Sequence, residues 1–426
     1  MMRPNGRAFK GERVTVMAFG LTKKELSWVL YDVGNSAFVM LSTALIPVYF
    51  ASIADPGSSV VVAWGYAETV ASLVLALLMP ILGSLADLAG NKKKFLVGFA
   101  GTGAVACAAL GIPEHALAFL VVYVISAIML NGSMVFYDAF LVDATTEDRY
   151  DKVSSHGYAW GYIGSCIPFI ACLAVVLGGS NFGIDAALGM KIAFIITAVW
   201  WIAFTIPVAK NVQQLHGKKR SDHVLRTTFS GLKSTVKSIM RDKRLLFFML
   251  AFFFYIDGVH TVIKMSTSYG TDLGIDSTQL VLALLVTQFV AFPSAIAYGN
   301  LAKRFGTKRM LMVGVAAYFC IVLFAAFFLK SAVEFWILAI CVGLFQGGIQ
   351  ALSRSEYGKL IPKERANEYY GFFDIFGKYA AVMGTFLVSA FTQLTGSSSF
   401  GVLSIAVLFV IGFLFLRAMP PMLGDR

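Results

Sequence analysis

The chain has 426 residues, 58% of them hydrophobic and 14% charged, with 37 phenylalanines and a formal net charge of +11. Ordinary globular proteins carry roughly 25% charged residues, and a soluble chain of this length could not hide so much apolar surface. The composition excludes a soluble multidomain protein, a disordered chain and a secreted disulfide scaffold. Lysines and arginines sit between apolar runs rather than on one face, so nucleic acid is not an expected partner. Cys107, Cys166, Cys172, Cys320 and Cys341 all lie inside apolar runs and read as packed free thiols.

Residues 1–26 form a polar, basic tail with nothing resembling a cleavable signal peptide. A membrane helix needs about 20 mostly apolar residues. Twelve such runs follow, near 27–52, 60–86, 95–112, 116–141, 154–178, 187–209, 245–269, 278–301, 310–329, 333–355, 367–394 and 398–417. Their length and their Leu, Ala, Val and Phe content favour helices over barrel strands. The expected organisation is a tail (1–26), six spans (27–209), a basic linker (210–244), six more spans (245–417) and a short tail (418–426).

Loop charge predicts orientation. Arg3, Arg7, Lys10, Arg13, Lys23 and Lys24 precede span one, Lys92, Lys93 and Lys94 follow span two, and Lys303, Arg304, Lys308 and Arg309 follow span eight. The opposite loops hold Asp55, Glu114, Asp185, Asp272 and Asp276. Both termini are therefore expected in the cytoplasm. In the linker, Leu225, Phe229, Leu232, Val236 and Ile239 recur at helical spacing with Arg226, Lys233 and Lys237 between them. This reads either as a basic amphipathic helix near anionic headgroups or as a solvated linker that sets topology.

Ionisable and amide groups inside a bilayer are costly, so each is a functional candidate. The first half offers Tyr31, Asp32 and Asn35 in span one, Glu68 in span two, and Tyr137 and Asp138 in span four. Asp32 and Asn35 share a face and could bind a cation or an ammonium group. Glu68 reads as a proton carrier or a packed hydrogen-bond acceptor. In the second half, Asp257, His260 and Lys264 fall on one face of span seven. Asp257 stands thirteen residues past Arg244, so about 20 Å along the helix, near mid-membrane. Gln346, Gln350 and Arg354 repeat every fourth residue of span ten. Arg354 could hold a substrate carboxylate or pair with Asp138 or Asp32 across the halves; its place near the cytoplasmic end favours the ion pair, as a gate. Asp374 and Lys378 in span eleven either neutralise each other or bind substrate.

The halves repeat one another. Gly83-Ser-Leu-Ala-Asp87-Leu-Ala-Gly90-Asn-Lys92-Lys93-Lys94 after span two matches Gly299-Asn-Leu-Ala-Lys303-Arg-Phe-Gly306-Thr-Lys308-Arg309 after span eight. Six plus six spans with a parallel repeat is the layout of a two-bundle transporter. The first segment resembles the loop signature of the major facilitator superfamily, G-x-L-a-D-r-x-G-r-k-k, departing at Leu88 and Asn91. Leu30-Tyr31-Asp32-Val-Gly-Asn35-Ser-Ala-Phe38 resembles the LYDWANSAF opening of the "unknown major facilitator" family, which includes the fungal autophagy-related vacuolar amino-acid effluxers. Phe136-Tyr137-Asp138, Gly157-Tyr-Ala-Trp160-Gly161 and Gln346-Gly-Gly-Ile-Gln350-Ala-Leu-Ser-Arg354 look like its other landmarks. Gly34 and Asp138 depart from that family, which often has Ala and Asn there.

The resemblance implies an all-α membrane protein of twelve transmembrane helices in two pseudo-symmetric six-helix bundles, the major facilitator fold. It implies secondary transport by alternating access of a small polar solute, an amino acid or similar metabolite. Protons are the expected coupling ion, and a bacterial inner membrane the expected location. A carrier of peptides or organic anions and a lipid flippase or scramblase are the alternatives, the latter because of the Phe-rich start of span seven. Asp87 is expected to meet the positive end of a second-half helix. No Walker loop, Cys/His metal cluster or G-x-S-x-G elbow is present, so no enzyme and no cofactor is expected.

Overall fold

The computed structural model describes residues 18–54, 60–179, 183–218 and 224–420. Arg3, Arg7, Lys10 and Arg13 of the basic tail, Asp55, and the end of the chain from 421 lie outside these ranges. The helices are α1 (Lys23–Ala44), α2 (Ile46–Ile53), α3 (Val60–Ala86), α4 (Lys92–Ala109), α5 (Ala116–Ala139), α6 (Leu141–Ala144), α7 (Tyr150–Gly178) and α8 (Ala186–Asn211). They continue as α9 (Val224–Arg241), α10 (Lys243–Asp272), α11 (Ser277–Phe305), α12 (Thr307–Phe328), α13 (Ala332–Leu360), α14 (Ala366–Thr395), α15 (Ser398–Ser404) and α16 (Ala406–Ala418). Each expected span has a helical counterpart. Among the described residues, nine helices are long and apolar enough to cross a membrane, and the bent pair α1–α2 adds a tenth. α4, which opens on three lysines, and α14, which carries Glu368 and Asp374, fill the two remaining places. Span one bends by 44° between α1 and α2, where Pro47 occupies the first turn of the second piece.

Local chemistry sets the ends. Thr22 and Glu25 form a reciprocal capping box at the start of α1. Asp185 accepts from the Leu188 N–H at 2.7 Å and caps α8. Gly90 and Gly306 hold the turns after α3 and α11 at φ +82° and +87°, left-handed values that favour glycine in both copies of the loop.

The packing repeats as the sequence does. α1 meets α7 and α8 as α10 meets α14 and α16; α4 meets α5 and α8 as α12 meets α13 and α16; α3 meets α5 as α11 meets α13. Two lobes result, and they touch through α7 against α11 and α13 and through α14 against α3 and α5. α9 lies under α3 and α10. The side chains of residues 224–232 lie outside the description, but beyond them the expected apolar stripe divides. Thr235 and Ile239 are buried against the protein, while Val236 and Met240 are exposed beside Lys233 and Lys237. α9 is thus attached to the bundle by one face and presents a basic, partly apolar face outward.

Candidate functional site

One end of the molecule carries the α3–α4 and α11–α12 loops and is called the basic end below. There α3 and α11 approach the opposite lobe closely enough that only glycine fits. A Cβ on Gly83 would stand 2.6 Å from the Asn367 carbonyl oxygen, and one on Gly299 would stand 2.6 Å from Ser155 Oγ. Asp87, just beyond α3, receives the Asn367 backbone N–H at 2.9 Å, the Asn367 side-chain amide at 2.8 Å and the Glu368 N–H at 3.0 Å. The carboxylate of the first lobe thereby caps the N-terminus of α14 in the second. Burial pushes Asp87 up to about 6, with Lys92 and Lys218 pulling it down.

The repeat copy puts Lys303 at the matching position, exposed. Its task passes to Asp151 on α7, which accepts from Ser355 Oγ at 2.5 Å, Lys359 Nζ at 2.7 Å and Thr307 Oγ1 at 2.8 Å. The motif lysines keep a common role. Lys92 Nζ reaches the Ala139 carbonyl at the end of α5 and Asp143 at 2.6 Å, and Lys308 Nζ reaches the Met419 carbonyl beyond α16 at 2.6 Å. Lys93 is half-buried and Arg309 exposed at the same end. A strap that sequence reasoning missed runs beneath. Lys218 N–H donates to the Asp87 carbonyl at 2.7 Å, and its ammonium reaches Glu368 Oε2 at 2.6 Å across the lobe boundary. Thr235 of α9 also donates to Glu368.

Deeper in the interface lies a buried guanidinium. Arg354 on α13 is 1% exposed, yet its head belongs to the first lobe. Nη1 donates to Asp138 Oδ1 at 3.0 Å and to Asp32 Oδ2 at 3.4 Å, Nε to Ser154 Oγ at 2.9 Å, and Nη2 to the Ser154 carbonyl at 2.9 Å. Its carbon centre stands 4.7 Å from the Trp28 ring, 5.3 Å from Tyr137 and 4.3 Å from Tyr158. Such distances are those of cation–π contacts. Gly157 makes room, since a Cβ there would meet Arg354 Nη2 at 2.8 Å and Asp32 Oδ2 at 2.9 Å. Tyr137 donates to Asp32 Oδ2 at 2.9 Å, Asn35 to Asp32 Oδ1 at 3.4 Å, and Tyr31 to Ser133 at 2.6 Å. Two carboxylates thus face one guanidinium. Trp28 stands one turn before Asp32 on α1, and Tyr158 one turn past Ser154 on α7. Their i, i+4 spacings are the signal that would have found them.

Toward the other end, Gln346 Nε2 lies 3.5 Å from the Tyr162 hydroxyl of the opposite lobe. Gln346, Thr261, Ser266, Tyr269, Thr287 and Gln288 give polar points to a mainly apolar cavity of about 110 Å³ in the second lobe. Gln350 is half-buried between Gln346 and Arg354 on α13. The stripe on α10 splits by exposure. Asp257 is fully buried, with Oδ1 accepting from the Gly384 N–H of α14 at 2.9 Å and from Thr261 at 3.3 Å and Oδ2 unpartnered; His260 is half-buried and Lys264 exposed. Asp374 is half-buried on α14; the Lys378 side chain lies outside the described residues. Glu68 accepts from Tyr123 on an exposed flank of α3. The phenylalanines of α10 divide, Phe247, Phe253 and Phe254 being half-buried. Phe248 and Phe252 are buried, and Phe252 stacks on Phe373 at 3.9 Å.

The repeated six-helix lobes define the class, a major facilitator superfamily transporter. Among solved structures the chain is similar to FucP, a transporter of that superfamily, in the outward conformation, with TM-score 0.72, 14% identity and coverage of 94% of this chain and 99% of that one. It is also similar to a bacterial homologue of the iron transporter ferroportin in the outward-facing state, with TM-score 0.67, 14% identity and coverage of 95% and 99%. The chain belongs to the "Vacuole effluxer Atg22 like" family, whose profile matches residues 57–143 and 142–422. It is 47% identical over 408 residues to the uncharacterized MFS-type transporter YxiO of Bacillus subtilis, spanning 94% of this chain and 95% of that one. Autophagy-related protein 22 of Cryptococcus neoformans is 27% identical over 283 residues, 61% of this chain and about half, 48%, of the fungal protein.

Proposed function

We propose that this transporter carries a small polar solute, an amino acid or a similar zwitterionic metabolite, across the membrane by alternating access with proton coupling. The observation that carries this reading is Arg354, which leaves its own lobe to lie against Asp32 and Asp138 of the other. Burying such a group is costly unless it is paired. The pairing exists only while the lobes are together at this end, so it works as a gate. The contacts of Asp87 with α14 and of Asp151 with α13 close the same end. The structure is then the outward-facing state, as in the FucP and ferroportin-homologue structures. By the distribution of loop lysines and arginines the basic end faces the cytoplasm, with both termini there. A bacterial inner membrane is the fitting location given the Bacillus relative, with α9 beside anionic headgroups.

The polar points of the cavity, Gln346, Gln288 and Thr261, suit a solute with hydrogen-bonding ends and an apolar body. Proton carriage falls to the carboxylates that exceed their cationic partners, Asp32 or Asp138 at the gate, and to Asp257, whose Oδ2 has no partner. Phe248 and Phe252 of α10 pack inside the second lobe, which disfavours a lipid path past them. Thermal-shift screening of the purified protein against amino acids, peptides, organic anions and lipids, at about pH 5.5 and 7.5 to bracket a proton-linked response, tests this reading. A pH-dependent shift with a zwitterion supports it. Shifts with lipids alone contradict it.

A further inference from the structure

Trp28, Tyr137 and Tyr158 surround the Arg354 guanidinium, Asp32 and Asp138 neutralise it, and Ser154 fixes its plane through Nε and Nη2. Every one of these groups belongs to α1, α5 or α7. The cage is therefore a complete feature of the first lobe, and its occupant is delivered by the second. Three aromatic faces and two carboxylates around one buried cation form a recognition site for organic cations in general. Nothing in the cage distinguishes the Arg354 head from a free guanidinium or ammonium of similar size.

When the lobes part at the basic end, Arg354 must leave with α13. The cage then opens toward that side with two unmatched carboxylates. We propose that the vacated cage is a binding site for the cationic head of the transported solute, an ammonium or guanidinium, and that Arg354 is its tethered competitor. The proposal rests on the alternating-access reading above and names the substrate group that one end of the pathway holds.

The consequence is mechanical. A solute entering from the basic end neutralises the cage and holds the lobes apart. Closure inserts Arg354, which takes over both carboxylates and the aromatic faces and displaces the solute's cationic head. Gln346, one of the polar points of the second-lobe cavity, lies eight residues before Arg354 on α13, about 12 Å along the helix. The displaced solute thus has a second polar station further along the same helix. Passage in the other direction runs the steps in reverse, with the solute's head entering the cage as Arg354 withdraws. In either direction one cation replaces the other at the two carboxylates.

The test uses methylguanidinium as probe and methylurea as its neutral isostere, with the full-length chain in detergent. In Arg354→Ala the competitor is gone, and calorimetry should find methylguanidinium bound at least about tenfold more tightly than by the wild type, because occupancy no longer needs the lobes to open. Methylurea should not bind, and Trp28→Ala or Asp32→Asn added to Arg354→Ala should abolish the gain. Equal affinity in wild type and variant, equal binding of methylurea, or a gain that survives both cage substitutions would overturn the proposal. Arg354→Ala leaves two buried acids unpaired and risks misfolding, so a wild-type arm decides independently. Spin labels placed at Glu147 and Lys363, which face each other across the lobes, should move apart when methylguanidinium enters. No lengthening at saturating probe contradicts the cage as a binding site. Solute counterflow in vesicles separates this from the broader reading: transport with no cation binding sinks the cage alone, and absent transport sinks the reading beneath it.

Discussion

Asp138 and Arg354 stand 216 positions apart, the spacing of the internal repeat, and meet across the lobe interface at 3.0 Å. Equivalent places in the two halves thus carry opposite charges that pair with one another. Removing one partner of such a buried pair costs about 3–5 kcal/mol, since the other charge is left uncompensated. Arg354→Ala is expected to lower the melting temperature sharply and to lengthen the distance between labels at 147 and 363. Asp138→Asn is expected to do much less of either, because Asp32 still holds the guanidinium. An Asp138→Asn protein as damaged as Arg354→Ala would mean that Asp32 contributes little.

Asp87 gives a pH prediction with a definite sign. In the closed state burial raises it to about 6, against the pull of Lys92 and Lys218. With the basic end open it meets water and titrates near its usual value of about 3.9. The closed state therefore holds the proton more tightly. Acidification from neutral through pH 6 favours closure and alkalinisation opposes it. The Asp87-dependent part of the population change, read from the same label distance across this window, should vanish in Asp87→Asn. Asp87→Ala should in addition lose the cap on α14, about 1 kcal/mol, and open the basic end at every pH.

Gly157 tests how tightly the cage is fitted. The Cβ of Gly157→Ala would lie 2.8 Å from Nη2 of a guanidinium already held by five hydrogen-bonding contacts. Overpacking of this kind costs about 1–3 kcal/mol. The variant should fold but populate the closed state less, as seen by faster alkylation of a cysteine placed at Ser355. Alkylation at the wild-type rate would show that the guanidinium has slack.

Asp257 is expected to separate stability from coupling. Its Oδ1 is satisfied by Gly384 and Thr261, while Oδ2 is buried without a partner. Asp257→Asn keeps the acceptor for Gly384 and removes the charge. The melting temperature should hold or rise, while the pH dependence of solute uptake into vesicles should flatten. Unchanged pH dependence would take proton carriage away from this residue.

The spans were legible because their period and length are written in apolar residues, and the loop motif because Gly83, Gly90 and the lysines recur in both halves. The partnership of Arg354 with Asp138 and Asp32 was readable as one option, since an always-charged group inside a span needs an acid. What remained hidden was contributed by residues that look ordinary in sequence. Trp28, Ser154 and Tyr158 are unremarkable in an apolar helix and gain meaning only when α13 is laid against α1 and α7. Lys218 lay in a basic stretch where any lysine could be solvated, yet it pairs with both Asp87, at 3.9 Å, and Glu368. The bend in span one has only Pro47 as a sign. The stripe of Asp257, His260 and Lys264 shares a helical face in projection, but Asp257 is buried against Gly384 of α14 while Lys264 is exposed.

The central claim is that solute crosses only if the basic end opens and closes. Cysteines at Glu147 and Lys363, in a chain whose native cysteines are replaced, can be joined by a cleavable bis-maleimide, since their side chains face each other at 3.5 Å and reach solvent. Vesicles preloaded with unlabelled amino acids would then be tested for counterflow of labelled ones. The account predicts transient tracer accumulation before cross-linking, none after it, and recovery when the linker is cleaved. Undiminished counterflow through the cross-linked protein would contradict it.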